Sequence, residues 1–304
     1  MSYRVIEKRV LSSNKKNNLV GKVYLPEGEI KGYFHVVHGM TEHIERYDSF
    51  MAELAENGYI TFGYDHLGHG RTAKDDSELG FIAEREGHDL LMRDVKAFSD
   101  AVRADYGKYP YYLMGHSMGS FIVRMSVFRY MTPDRLIIMG TSGPNPVVGA
   151  GLILCKIIRA IKGPKYISSF IENLAFGTYN DHFKDEGDSK SWLTKDVEIR
   201  NKYIADKYCT FKFTISAMHD LITLNSECNK ADCFKRLAKK MPILLVSGED
   251  DPVGDYGKGI KLCEAKFKAN EADVTMKLYP NNRHEILNDT ARDEVIKDIL
   301  EFIA

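Results

Sequence analysis

Tyr111-Tyr112-Leu113-Met114-Gly115-His116-Ser117-Met118-Gly119-Ser120-Phe121-Ile122-Val123 is the stretch whose reading decides the fold. Its first four residues are an apolar run of strand length, and from Met118 to about Tyr130 the apolar positions recur at helical spacing. Between them Gly115 to Gly119 reads G-x-S-x-G, which needs a strand before it and a helix after it to form a nucleophile elbow. Both are predicted here. The flanking glycines let the tight turn form without Cβ clashes. The Ser117 hydroxyl is then held at the C-terminal edge of a sheet, beside a helix N-terminus whose partial positive charge favours developing anions.

The same rhythm extends in both directions. Two alternating segments, Tyr3–Ser12 and Leu19–Leu25, predict an antiparallel pair turning at Asn14–Asn18. Apolar runs follow at Tyr33–Val37 and Tyr59–Tyr64, with a helical pattern over Ile44–Ala55 stopping near Gly58 and another over His88–Tyr106 stopping at Gly107. Leu136–Met139 is a further strand. The alternation breaks at Gly143-Pro144-Asn145-Pro146 and resumes with Ile243–Val246, a helix over Tyr256–Phe267, a strand at Val274–Leu278 and a helix at Ala291–Ile303. Apolar strands alternating with helices predict an α/β fold with a mostly parallel sheet covered on both faces. The division expected is a core in two parts, 1–142 and 225–304, with a mainly helical cap inserted at 143–224.

Composition narrows the function classes. Across 304 residues the formal charge is −1 and no basic block occurs, so nothing argues for a nucleic-acid partner. The five cysteines form no C-x-x-C pair, and an odd count suits reduced thiols and a cytoplasmic location. No Cys/His cluster has zinc spacing, so neither metal nor cofactor is expected. No apolar run reaches the ~18 residues of a membrane span, and the N-terminal stretch lacks the apolar segment of a signal peptide.

A serine hydroxyl needs a base to take its proton, and the base needs an orienting acid. Behind the strand Ile243–Val246 stand Glu249, Asp250 and Asp251. Behind Val274–Leu278 stands His284, the only histidine after His219. The order Ser, acid, His gives Ser117, Asp251 and His284. Asp251 is preferred because it precedes Pro252, which restricts its backbone; Asp250 is the alternative, and Asp255 is expected to cap the next helix. Oxyanion donors are expected from the backbone N–H of Met118 and, in the His38-Gly39-Met40 loop, of Met40. His38 and Gly39 shape that loop. Asp65 to Thr72, and Glu42, His43 and Arg46, are expected to brace loops rather than do chemistry.

Several segments together resemble the monoacylglycerol lipase and lysophospholipase group of α/β-hydrolases, grouped more broadly with serine aminopeptidases. They are His38-Gly39-Met40-Thr41-Glu42-His43 with Arg46-Tyr47, Asp65-His66-Leu67-Gly68-His69-Gly70-Arg71, the G-x-S-x-G motif, Gly248-Glu249-Asp250-Asp251-Pro252-Val253, and Arg283-His284-Glu285-Ile286-Leu287-Asn288. The resemblance implies the same triad and oxyanion donors, and a hydrolase acting on small ester or lipid substrates. Met40 stands where family members often carry a small residue.

In the insertion, Val147, Val148, Leu152, Ile153, Ile157, Ile158 and Ile161 form an apolar face opposite Lys156, Arg159 and Lys162. It predicts a cap helix packed on the core, with Leu152 and Ile153 as acyl-channel lining and the cations available for transient contact with a lipid surface. Tyr166, Phe170, Phe176, Tyr179, Trp192 and Tyr208 add apolar material. A serine aminopeptidase would need an acidic cluster for a free amino group, and Asp181, Asp185, Glu186 and Asp188 form one in a stretch expected to face solvent. A non-catalytic ligand receptor on this fold is the reading from another class.

Overall fold

In a computed structural model, which describes residues 2–304, eight strands form one sheet in the order β1-β2-β4-β3-β5-β6-β7-β8. They are β1 (Tyr3–Leu11), β2 (Asn18–Pro26), β3 (Gly32–Val37), β4 (Tyr59–Tyr64), β5 (Tyr111–His116), β6 (Arg135–Met139), β7 (Ile243–Gly248) and β8 (Val274–Tyr279). Strands β1 and β2 pair antiparallel, as do β2 and β4; every later pairing is parallel. The strands β3, β4, β5 and β7 are buried at every residue. That is why they read as continuous apolar runs rather than as alternation.

Alternate side chains of each central strand serve two different cores. On one face Phe34, Val36, Ile137, Met139, Leu244 and Val246 pack with helices α1 (Asp48–Glu56) and α10 (Arg292–Ile303). On the other, Tyr33, Val37, Leu113, Leu136, Ile138 and Leu245 pack with α2 (Gly87–Tyr106), α3 (Met118–Arg129), α8 (Ala231–Ala238) and α9 (Lys258–Lys268). Arg124 of α3 is fully buried among these groups, its guanidinium over the rings of Phe234 and Phe267 and donating to the Cys228 carbonyl.

Between β6 and β7 the chain forms helices and loops, with no strand among the described residues. The helices are α4 (Val148–Lys162), α5 (Ser169–Phe176), α6 (Val197–Ala205), α7 (Ile215–Cys228) and then α8. The expected boundary at residue 224 falls inside α7, which runs on to Cys228. This helix buries Ile215, Ala217, Met218, Leu221, Leu224 and Cys228 in the same cluster as α2 and α3, so it leads into the core rather than ending a separate unit.

The apolar face expected for α4 is also corrected. Only Cys155 is fully buried, with Leu154 and Ile158 partly so, and the Gly151 backbone lies against Ile222 of α7. Ile153, Ile157 and Ile161 are 61%, 51% and 72% exposed. Ile153 therefore points outward and lines no enclosed channel, while Leu152 is half-buried. The close approach to α7 is made by the small residues Gly151 and Cys155, which carry little weight in a reading based on large apolar residues. Val147, Ile167, Phe170 and Leu174 are exposed as well. The outer side of α4 and α5 is apolar.

Candidate active site

The elbow takes the strained form its motif requires. Ser117 has φ 53° and ψ −121°, a backbone region that costs a non-glycine residue of order 1–3 kcal/mol and persists where surroundings over-determine it. They do so here. The Ser117 N–H donates to the Met139 carbonyl at 3.0 Å, and Ser120 Oγ donates to the Ser117 carbonyl at 2.6 Å. A Cβ on Gly119 would lie 2.1 Å from the Val37 carbonyl oxygen and 2.7 Å from that of His38, so α3 begins in direct contact with the end of β3. A Cβ on Gly39 would lie 3.0 Å from the Ser117 Cβ. The loop after β3 is thus brought against both Ser117 and Gly119.

The expected acid and base meet. His284 Nδ1 lies 2.9 Å from Asp251 Oδ2. Asp251 is completely buried and also accepts from Ser247 Oγ at 3.2 Å and from the Val253 N–H at 2.8 Å. Those bonds fix its carboxylate in the turn after β7. Asp250 is half-buried and makes only a backbone contact, its N–H donating to the Asn282 carbonyl. Asp255 does not cap α9: Gly257 occupies that position in the left-handed region, and Asp255 instead faces the Lys258 ammonium at 3.7 Å. The His284 ring lies 4.7 Å from the ring of His116, the residue before Ser117, and its Cε1 borders Gly140. Ser117, half-buried, makes no hydrogen bond to His284 among the described residues, a contact that in uncomplexed enzymes tightens when substrate binds.

Beneath these three residues lies a buried polar network. One Glu42 oxygen accepts from the Gly39 N–H, from Tyr47 Oη at 3.0 Å and from His116 Nδ1 at 3.2 Å; the other accepts from Arg46 at 3.1 Å. Arg46 forms a two-pronged pair with Glu285 at 2.6 Å for each bond, and His116 Nε2 donates to the His284 carbonyl at 3.2 Å. Although burial opposes its charge, Glu42 is held well below the usual carboxylate range by the His116 and Arg46 cations. Against the same burial cost, Glu42 raises His116 above its ordinary value. The network joins the loop after β3, the elbow and the loop after β8. His38, His66 and His69 meet nearby in tilted and edge-to-face contacts, kept neutral by burial. Asp65 accepts from the Ile44 and Arg71 N–H groups at 2.8 and 2.7 Å and so shapes its loop.

Further contacts come from the insertion and were not legible as functional in the sequence. Thr41, with φ 50°, is tied to Tyr203 of α6, whose hydroxyl donates to the Thr41 carbonyl at 2.9 Å. Glu186, expected to face solvent, bonds both Arg283 and Arg200, and Asp188 pairs with Arg200 at 2.8 Å. The two arginines pull Glu186 down to about 2. With Asp181 paired to Lys184 at 3.0 Å, three of the four acidic residues are committed to cations of this chain. Sequence distance concealed the pairing, Arg283 lying 97 positions from Glu186. His43 Nε2 meets Asp206 at 2.8 Å, with Cys209 beside them, a grouping the sequence spacing did not announce; burial raises the Cys209 thiol and keeps it protonated. All five cysteines are free and buried. Among the described residues no helix is long and apolar enough to cross a membrane.

Residues 28–291 match the family model described as serine aminopeptidase, S33. The chain is 25% identical to a monoacylglycerol lipase of Mycolicibacterium smegmatis, over 94% of this chain and 92% of that one. It is also 25% identical to the human monoglyceride lipase, over 86% and 78% of the two chains. Among solved structures, a thermostable carboxyl esterase from Bacillus coagulans in complex with glycerol superposes with a TM-score of 0.92 at 27% identity, covering 99% of this chain and 98% of that one. The chain belongs to the serine aminopeptidase S33 family and is an α/β-hydrolase of the lipase and esterase type.

Proposed function

We propose that this protein hydrolyses carboxylic esters of hydrophobic acyl chains, monoacylglycerols or lysophospholipids, through an acyl-enzyme on Ser117. His284, oriented by Asp251, takes the Ser117 proton as the hydroxyl oxygen attacks the ester carbonyl. The oxyanion is held by the Met40 and Met118 N–H groups. The imidazolium then protonates the departing alcohol, and water, deprotonated by His284, releases the acid. The observation that carries the reading is the buried 2.9 Å contact between Asp251 and His284, together with the strained turn that holds Ser117 next in sequence to His116, whose ring lies 4.7 Å from that of His284. A group that retains this geometry at a cost of backbone strain has a use for it.

The helical segment between β6 and β7 acts as the cap, and its outward isoleucines, with Lys156 and Lys162 close by, meet a lipid surface. Five reduced thiols fit a cytoplasmic setting. An aminopeptidase reading is disfavoured because Glu186 and Asp188 are already paired with arginines. Purified Ser117→Ala, with its fold intact by circular dichroism, should lose about 10⁵-fold or more in kcat on a short p-nitrophenyl ester and all labelling by a fluorophosphonate. Wild-type activity in that variant refutes the proposal. Aminoacyl amides cleaved faster than esters would favour the peptidase.

A further inference from the structure

The insertion does more than cover the site. Four consecutive residues of it, Ser191 to Thr194, together with Phe183 and Glu186, grip the loop that carries His284. The Arg283 guanidinium stacks 4.1 Å from the Phe183 ring centre, pairs with Glu186, and donates to the Ser191 carbonyl at 2.6 Å. The His284 N–H donates to the Trp192 carbonyl at 3.4 Å and the Glu285 N–H to the Leu193 carbonyl at 2.8 Å. Thr194 Oγ1 donates to the Asn288 carbonyl at 2.6 Å. The Trp192 ring lies 5.2 Å from the His284 ring, and Tyr179 backs the indole at 5.1 Å.

We infer that residues 183–194 form a clamp on the general base, and that Trp192 is a positioning residue for the His284 imidazole. The inference rests on the proposed triad. Hydrogen bonds to Asp251 fix only the Nδ1 edge of the ring, leaving it free to tilt about that bond. The His116 ring and the Trp192 indole are the aromatic neighbours that limit the tilt. Removing the indole frees the Nε2 edge and admits water, and misplacement of a reacting group by about 1 Å is worth ~100-fold in rate. The effect falls on kcat, because a short ester need not touch the clamp to bind.

Trp192 is the only tryptophan in the chain, so its emission reports on the clamp directly. The test compares wild type, Trp192→Ala, Trp192→Phe and Glu186→Gln in kcat and KM for p-nitrophenyl acetate, fluorophosphonate labelling rate and thermal midpoint. Trp emission is recorded for wild type and Glu186→Gln. Trp192→Ala should lower kcat about 10-fold or more with KM within about 2-fold, while Trp192→Phe restores most of it. Glu186→Gln, which leaves the indole in place, should lower kcat about 3-fold and red-shift the emission. Trp192→Ala that melts like wild type with unchanged kcat overturns the inference. If that variant does not fold, unchanged kcat and emission in Glu186→Gln overturn it instead. Wild-type protein that fails to label would refute the triad, whereas equal labelling of wild type and Trp192→Ala would refute the clamp alone.

Discussion

Replacing Glu42 by glutamine tests the buried network that underlies the site. The carboxylate accepts four hydrogen bonds, from the Gly39 N–H, Tyr47, His116 and Arg46, and is 3% exposed. Glutamine keeps one acceptor oxygen but presents N–H groups to Arg46 or His116 and removes the charge both cations face. Breaking a buried pair costs about 3–5 kcal/mol. Because Arg46 keeps Glu285 as a partner, a loss of about 2–4 kcal/mol is expected here. At roughly 2 °C per kcal/mol for a chain of this size, the midpoint should fall by about 4–8 °C.

The pH dependence of that loss has a definite sign. His116 is raised by Glu42, so its contribution is fully present below its ordinary value of 6.5 and is lost as pH rises through the raised value. Glu42 is lowered, so its contribution is present above 4.5 and is lost as pH falls toward its depressed value. Urea unfolding of wild type should therefore lose stability above pH 6.5 in a way that Glu42→Gln does not. The deficit of the variant should be largest between pH 4.5 and 6.5. An unchanged urea midpoint, with parallel pH profiles for the two proteins, would show that the network carries no net stability and would refute the reasoning.

Two other substitutions separate neighbouring possibilities. Asp251→Asn should lower kcat by about 10⁴ by analogy with other triads, whereas Asp250→Asn should leave it within about 2-fold; the reverse ranking in ester hydrolysis would move the orienting acid. Serine at all three of Ile153, Ile157 and Ile161 should cut the rate on emulsified long-chain monoacylglycerol at least ~10-fold, each exposed isoleucine contributing about 1 kcal/mol at an interface. The rate on a soluble short ester should not change. Equal losses on both substrates would rule out the lipid-surface role.

The core was legible because each of its strands is locally consistent: Tyr33–Val37, Tyr59–Tyr64 and Ile243–Val246 are mostly apolar, broken only by the buried His35, Thr61 and Gly63, as a sheet buried on both faces demands. The same holds for the meeting of Asp251 with His284, since residues at the ends of adjacent parallel strands β7 and β8 must emerge side by side. The insertion was less legible. Its helices pack through Gly151 and Cys155, residues too small to mark a face, and its outer isoleucines mimic a core stripe. The grip of Arg283, Arg200 and Glu186 joins residues up to 97 positions apart, a distance over which periodicity carries no information.

Gly119 has a consequence beyond the turn it permits. With no side chain there, the first turn of a helix rests directly on the carbonyl oxygens that end β3. The end of β3 and the start of α3 are thereby in backbone contact, so that one cannot drift without dragging the other.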